Sequence, residues 1–320
     1  MSKALQAFRP FGAEVLSRLS QREKGGMKMA SFFHFENRIV VSAVLVMETP
    51  ISVGSRTSLL PAGSDLPVIK TPDGIPFIPG SSLKGVIRAH TERLLRTLDA
   101  MGKKHGDERL WACDPLDERN RCIIAKCCEK CGDCKGDCCN DCGRCKSCMV
   151  KRSQVNGVLN DGKFTEELWS KSCTACRLFG SQWLASRVAF QDAMLSNSNE
   201  LLRLTEIRDG VGIDRDLGSA KKRIKYDYEV VPAGARFDVR IIVENAEQWE
   251  IGLLLLSLKA VEQGGLPVGG KTTRGLGWGK LTELKVQRVD KSTLLAYLQN
   301  GSAQTFEPNE LIDTFVAGLK

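Results

Sequence analysis

Apolar and polar positions change rhythm several times along the chain, and each change marks an element. Between residues 4 and 22, Leu5, Phe8, Val15, Leu16 and Leu19 recur at roughly helical spacing, with Pro10 interrupting early. This predicts a short amphipathic arm, suited to docking a partner, that ends at the linker residues Gly25 and Gly26. Residues 38–47, RIVVSAVLVM, are apolar and β-branched and predict a buried strand. Thr49 to Pro79 carries Pro50, Pro61, Pro67, Pro72, Pro76 and Pro79, which predicts a long loop with short extended pieces such as 68–70. Loops of that length within a domain are usually functional. From Gly80, GSSLKGVIRAHTERLLRTL reads as a serine-capped helix with Leu83, Ile87, Leu94, Leu95 and Leu98 on its apolar face.

The periodicity lapses over residues 113–176, which hold every cysteine and few aliphatic side chains, so this stretch reads as an insertion. A β-rich pattern resumes at Arg187. Residues 203–225 mix charges of both signs with turn formers and predict an extended hairpin. Strands follow at 226–231 and 236–243, then a helix at 248–263 with Ile251, Leu254, Leu255 and Leu258 on one face, a glycine-rich loop and a strand at 281–289. The order predicts an α+β fold on a ferredoxin-like, RRM-like βαββαβ core. The expected organisation is an N-terminal arm (1–36), a core (37–112 and 177–289), a Cys-rich insertion (113–176) and a C-terminal tail (290–320).

Composition narrows the function only a little. A chain of 320 residues suffices for one large domain or two, and 46 Lys plus Arg against 38 acids gives a net charge of +8. That balance suits a polyanionic partner without requiring one. No apolar run reaches the roughly 18 residues of a membrane span, and the first residues lack the apolar region of a signal peptide. The expectation is a cytoplasmic protein with no membrane partner, in which clustered cysteines bind metal rather than pair as disulfides.

Three stretches suit phosphate. At the helix start, Ser81 and Ser82 lie among exposed N–H groups, with Lys84 and Arg88 one turn apart; a plain capped surface helix is the alternative. VGGKTTRGLGWGKL (268–281) has five glycines, among them Gly269 and Gly270, which let backbone approach a ligand beside Lys271 and Arg274, while Trp278 either stacks on a base or anchors the loop. The hairpin offers Arg208, Arg215, Lys221, Lys222 and Arg223, interleaved with acids that equally suit a self-paired, solvated face.

The cysteines number 13, nine of them between Cys127 and Cys148. Cys173 and Cys176 form a CxxC, and Cys128, Cys131 and Cys134, then Cys139, Cys142, Cys145 and Cys148, repeat the same spacing. Such turns deliver ligand pairs to tetrahedral Zn²⁺, so one or two structural zinc sites are expected, with an iron–sulfur cluster as competitor. Cys113, Cys128, Cys131, Cys142, Cys145, Cys173 and Cys176 are the candidate ligands. Cys113 and Cys122 joining Cys173 and Cys176 is one grouping; spacing alone leaves the sets open.

Four stretches together resemble the RAMP superfamily of CRISPR-associated proteins, and within it the repeated backbone subunit of type III interference complexes. They are DLPVIKTPDGIPFIPGSSLKGVIR (65–88), CTACRLFGS (173–181), GVGIDRDLGSAKKRIKYDYEVVPAGARF (210–237) and GLPVGGKTTRGLGWGKL (265–281). The resemblance implies a ferredoxin-like palm with a β-hairpin thumb, copies of which stack along a CRISPR guide RNA beside other RAMP subunits. It implies that a loop aspartate supports cleavage of complementary target RNA with Mg²⁺ or another divalent ion. Asp65, two residues before Pro67 and followed by Val68, Ile69 and Lys70, inherits that role. The chain departs from the family's usual pattern at Gly54-Ser55-Arg56, where paired glycines are common, and at Thr71, where an acid is common. His34, His90 and His105 all lie outside the Asp65 loop, which argues against a metal-free, histidine-based ribonuclease. A guide-binding scaffold with a silent Asp65 is the alternative.

Overall fold

β1 (Asn37–Met47) alternates strictly, burying Ile39, Val41, Ala43, Leu45 and Met47 on one face. A run of apolar residues thus resolves into a one-sided strand, and the packed helices cover that side. The computed structural model describes residues 34–54, 64–117, 120–125 and 143–320, and only the backbone of residues 220–223. Nearly all of the expected N-terminal arm, Cys128, Cys131, Cys142 and the side chains of Lys221, Lys222 and Arg223 therefore lie outside the described residues.

The strands after β1 are β2 (Phe77–Ile78), β3 (Lys104–His105), β4 (Glu108–Arg109), β5 (Gln154–Val155), β6 (Val158–Leu159), β7 (Val188–Phe190), β8 (Ala193–Leu195), β9 (Glu206–Ile213), β10 (Ala220–Val230), β11 (Arg236–Glu244), β12 (Gly279–Asp290) and β13 (Gln304–Phe306). The helices are α1 (Gly80–Ala100), α2 (Lys146–Arg152), α3 (Asp161–Lys171), α4 (Thr174–Phe179), α5 (Gln248–Glu262), α6 (Leu294–Asn300) and α7 (Pro308–Ala317). One antiparallel sheet runs β13-β12-β1-β11-β8-β2, with β7 also on β11. β9 and β10 form a separate two-stranded hairpin, as do β3–β4 and β5–β6. The β1–β12 register shifts between Ser42 and Val44, and Glu283 on the bulging strand takes φ 54°.

α1 and α5 pack on the buried face of the sheet through Leu83, Ile87, Ile251, Leu254, Leu255 and Leu258. Between them the hydroxyls of Thr91 and Ser257 lie 2.8 Å apart, so two buried polar groups satisfy each other. The start of α5 is fixed by a capping box between Glu247 and Glu250. Glu250 also holds the buried Arg187 through both terminal guanidinium nitrogens, one at 2.7 Å.

Two features differ from the sequence reading. α1 has Pro79 at its N-cap and no side-chain cap; Ser81 and Ser82 sit inside the first turn. Gly80 N–H instead donates to Asp192 at 2.8 Å, a partner more than a hundred residues away. Residues 290–320, read as a tail, form α6, β13 and α7. α7 lies so close to α5 that a Cβ on Gly252 would come 2.2 Å from the Leu311 carbonyl oxygen. The described part of the Cys-rich stretch also shares a core: Met149, Leu168, Cys173 and Cys176 pack with Leu95, Trp249, Leu253 and Phe315.

Candidate nucleic-acid interface and metal centre

Asp65 lies exposed in the loop between β1 and α1, where the chain runs beside the base of the β9–β10 hairpin. Its Oδ2 accepts the Asp227 backbone N–H at 3.0 Å. Leu66 bridges Tyr228 in parallel, and the Glu229 N–H donates to the Leu66 carbonyl at 3.0 Å. Glu229 closes this seam. Its buried carboxylate accepts from the Val68 N–H at 3.0 Å and from Lys70 Nζ at 2.6 Å. Burial pushes that carboxyl up, but the hydrogen bonds from Lys70, Thr205 and Val68 outweigh it and hold it below its ordinary value.

The glycine-rich loop meets the same hairpin base from another side. Arg274 Nη1 donates to the Tyr226 hydroxyl at 2.5 Å, and Lys271 Nζ lies 4.6 Å from the centre of the Tyr228 ring. Lys271 takes φ 56°, a conformation a lysine adopts only when its surroundings impose it. The glycines have a different use from the one their density suggests. A Cβ on Gly269 would come 2.7 Å from the Ser52 carbonyl oxygen, and one on Gly277 2.0 Å from that of Val268. They let the loop lie against its own chain, and Gly270 N–H donates to Ser52 O at 2.8 Å. Gly275 alone of these faces open space. Trp278 is half-buried, and its backbone N–H and C=O both bond residues 48–49, which fixes the loop's backbone at that point.

The helix-start cations are less available than their spacing suggests. Lys84 Nζ donates to Ser186 Oγ at 2.9 Å, and burial, then Arg88, hold its ammonium below the ordinary value. Arg88 bonds Glu92 at 2.8 Å, the Gly180 carbonyl at 3.0 Å and Cys176 Sγ at 3.7 Å. It thus serves the cysteine cluster and the loop after α4. Arg208 and Arg215 are exposed, Arg215 in the hairpin's turn, and neither forms an ion pair with a described residue.

Cys113, Cys122, Cys173 and Cys176 are all buried, with their sulfurs within 4.8 Å of one another and Cys113 Sγ 3.7 Å from Cys176 Sγ. A disulfide needs sulfurs about 2.05 Å apart. Tetrahedral Zn–S bonds of about 2.3 Å place sulfurs about 3.8 Å apart. The four thiols therefore fit one tetrahedral ion and leave no room for a multi-iron cluster. The Cys122 contact and burial push the Cys113 thiol up, but hydrogen bonding with Cys173 and Cys176 outweighs them and lowers it to about 7. Cys145 and Cys148 are also buried, at the start of α2. Cys145 lies outside this four-sulfur group.

The four sequence stretches singled out for function thus lie on one folded unit. The model of the RAMP superfamily matches residues 44–280. The chain belongs to the RAMP superfamily. The RAMP match runs from β1 into the start of β12 and includes Asp65, α1, the four clustered cysteines, the hairpin and the glycine loop. The chain is also 25% identical over 260 residues to a protein of Methanothermobacter thermautotrophicus named CRISPR system Cms endoribonuclease Csm3, covering 79% of this chain and 87% of that one. No described helix is long and apolar enough to cross a membrane.

Sequence reasoning missed Tyr226, Tyr228 and Glu229. The signal was the run KYDYE, where two aromatics alternate with acids on a strand. That alternation puts both rings on one face.

Proposed function

We propose that the chain is a guide-RNA-binding backbone subunit of a type III CRISPR interference complex and that Asp65 supports cleavage of the paired target RNA. The observation that carries this is the seam at Asp65: an exposed carboxylate fixed by the Asp227 N–H at the foot of a hairpin, within a RAMP chain. The sheet order supports a ferredoxin-like palm, since β12-β1-β11-β8 corresponds to 4-1-3-2 of a βαββαβ core. The β9–β10 hairpin is then the thumb, residues 37–112 and 177–289 the palm and thumb, and 113–176 the metal-binding insertion. The partners are the guide, the target and other subunits of the complex, RAMP subunits included.

RNA supplies its own nucleophile, so the protein's task is geometry and charge. Asp65 keeps one oxygen on the Asp227 N–H and is exposed, which suits a Mg²⁺ ion that takes one carboxylate plus phosphate and water oxygens. Such an ion, when bound, acidifies the 2′-OH and offsets charge on the phosphorane. The hairpin splays the target nucleotide into line, while Lys271 and the exposed Arg208 and Arg215 hold phosphates. The Cys113–Cys122–Cys173–Cys176 group holds structural Zn²⁺, ordering the insertion against α1.

The test is the assembled ribonucleoprotein given complementary RNA and Mg²⁺. Wild type yields fragments ending in 2′,3′-cyclic phosphate and 5′-OH, and Asp65→Ala assembles but leaves the RNA whole. Intact RNA with the wild-type complex would leave a guide-binding scaffold in its place.

A further inference from the structure

Tyr226, Asp227 and Tyr228 join two otherwise separate loops. The backbone of 227–229 receives Asp65 and Leu66, while the two tyrosine side chains receive Arg274 and Lys271. The junction is built for this. Tyr226 lies across Gly210 on the neighbouring strand, where a Cβ would come 2.3 Å from Tyr226 Cζ. Only glycine lets the ring lie there and send its hydroxyl toward the glycine loop. On that loop Lys271 holds its left-handed backbone immediately before the turn Thr272–Arg274, so the guanidinium is delivered from a constrained start. Arg274 is exposed and forms no ion pair with a described residue, so its charge remains available to an anion.

We propose that Arg274 contacts the scissile phosphate of the target RNA, and that Tyr226 is the positioning residue that aims it. This rests on the Asp65 reading above and assigns the phosphate its second partner. In the step, the 2′-oxygen attacks phosphorus and the P–O5′ bond breaks. The 2′-OH proton goes to water, and a proton from water reaches the departing 5′-oxygen. The phosphoryl group carries one extra negative charge on the way, and two guanidinium N–H groups meet it at fixed range. The Tyr226 hydroxyl occupies one face of the guanidinium fork and leaves the others to the phosphate.

The experiment is single-turnover cleavage by the assembled complex, with guide content and target affinity measured in parallel. Removing a donor to developing charge should slow Arg274→Ala by about 100-fold, with guide content and target affinity unchanged. Added guanidinium ion should restore part of the rate. Tyr226→Phe should slow cleavage less, and should cost nothing further in the Arg274→Ala background, because it acts only through the arginine. Arg274→Gln serves if the alanine variant assembles poorly. Wild-type cleavage by the arginine variants, a fall in guide or target binding that matches the fall in rate, or a Tyr226 effect that persists without Arg274 would each overturn the proposal. Asp65→Ala is run alongside. If it cuts normally, the Asp65 reading fails; if it is inactive while the Arg274 variants cut normally, only this inference fails.

Discussion

Arg88 Nη2 donates to Cys176 Sγ across 3.7 Å, joining the helix that starts at Gly80 to the four-cysteine group. A cation at this distance offsets the negative charge of a four-thiolate site and fixes one sulfur's orientation. Arg88→Met should therefore weaken metal binding by about 10–100-fold. Release of Zn²⁺ to a chromogenic chelator measures it, and Arg93→Met, on the exposed side of the same helix, is the control that should leave release unchanged.

Loss of a ligand should cost more than loss of its neighbour. On the zinc reading proposed above, Cys176→Ser should lower bound metal by one ion per chain. It should also destabilise the core shared by α1, α4 and α5, because Cys176 packs with Leu95 and Leu253. Metal analysis and a thermal melt read the two effects separately.

The Lys70–Glu229 pair predicts a pH dependence. Glu229 has its folded-state carboxyl below the ordinary 4.5, so its contribution to stability is complete above pH 4.5 and lost as pH falls through the lowered value. Wild type should melt above Glu229→Gln at neutral pH, and the gap should close as the melts are taken progressively below pH 4.5. A gap that stayed constant would remove the carboxylate from the account.

Arg187 and Glu250 are both almost wholly buried, and Arg187 also bonds the Asn245 carbonyl at 3.1 Å. Removing one partner strands the other charge, so Arg187→Met should cost about 3–5 kcal/mol. Chemical denaturation of the purified chain gives the value.

Gly80 offers a steric test. A Cβ there would come 2.2 Å from the Phe190 carbonyl oxygen, which is backbone and has little freedom to move. Gly80→Ala should destabilise by about 1–3 kcal/mol, as overpacking does. It should also loosen the contact of α1 with β7, seen as faster amide exchange in β7.

What the sequence made legible follows the range of the interactions. β1, α1 and α5 announce themselves through their own spacing, and the structure places them within a residue or two of expectation. The CxxC at Cys173 is equally local. Its partners Cys113 and Cys122 are not: Cys113 lies 63 residues away in a stretch with many other thiols, and only folding selects it. The glycine loop was visible as a cluster, yet what crowds its glycines is Ser52 and Val268, facts of tertiary contact. Arg88 and Lys84 read as free cations because helical spacing shows a face and not what packs on it. Glu229 went unremarked within the strand read at 226–231, although the fold buries it beside the Asp65 loop.

The main sheet ends in β2, two residues long, and β13, three residues long. Edges this short offer almost no free backbone ladder, so a neighbouring molecule gains little by extending the sheet. Strand pairing between copies through this sheet is thereby disfavoured. If copies do line a nucleic acid, as proposed above, strand pairing between main sheets would contribute little to their number, which would follow the length of what they bind.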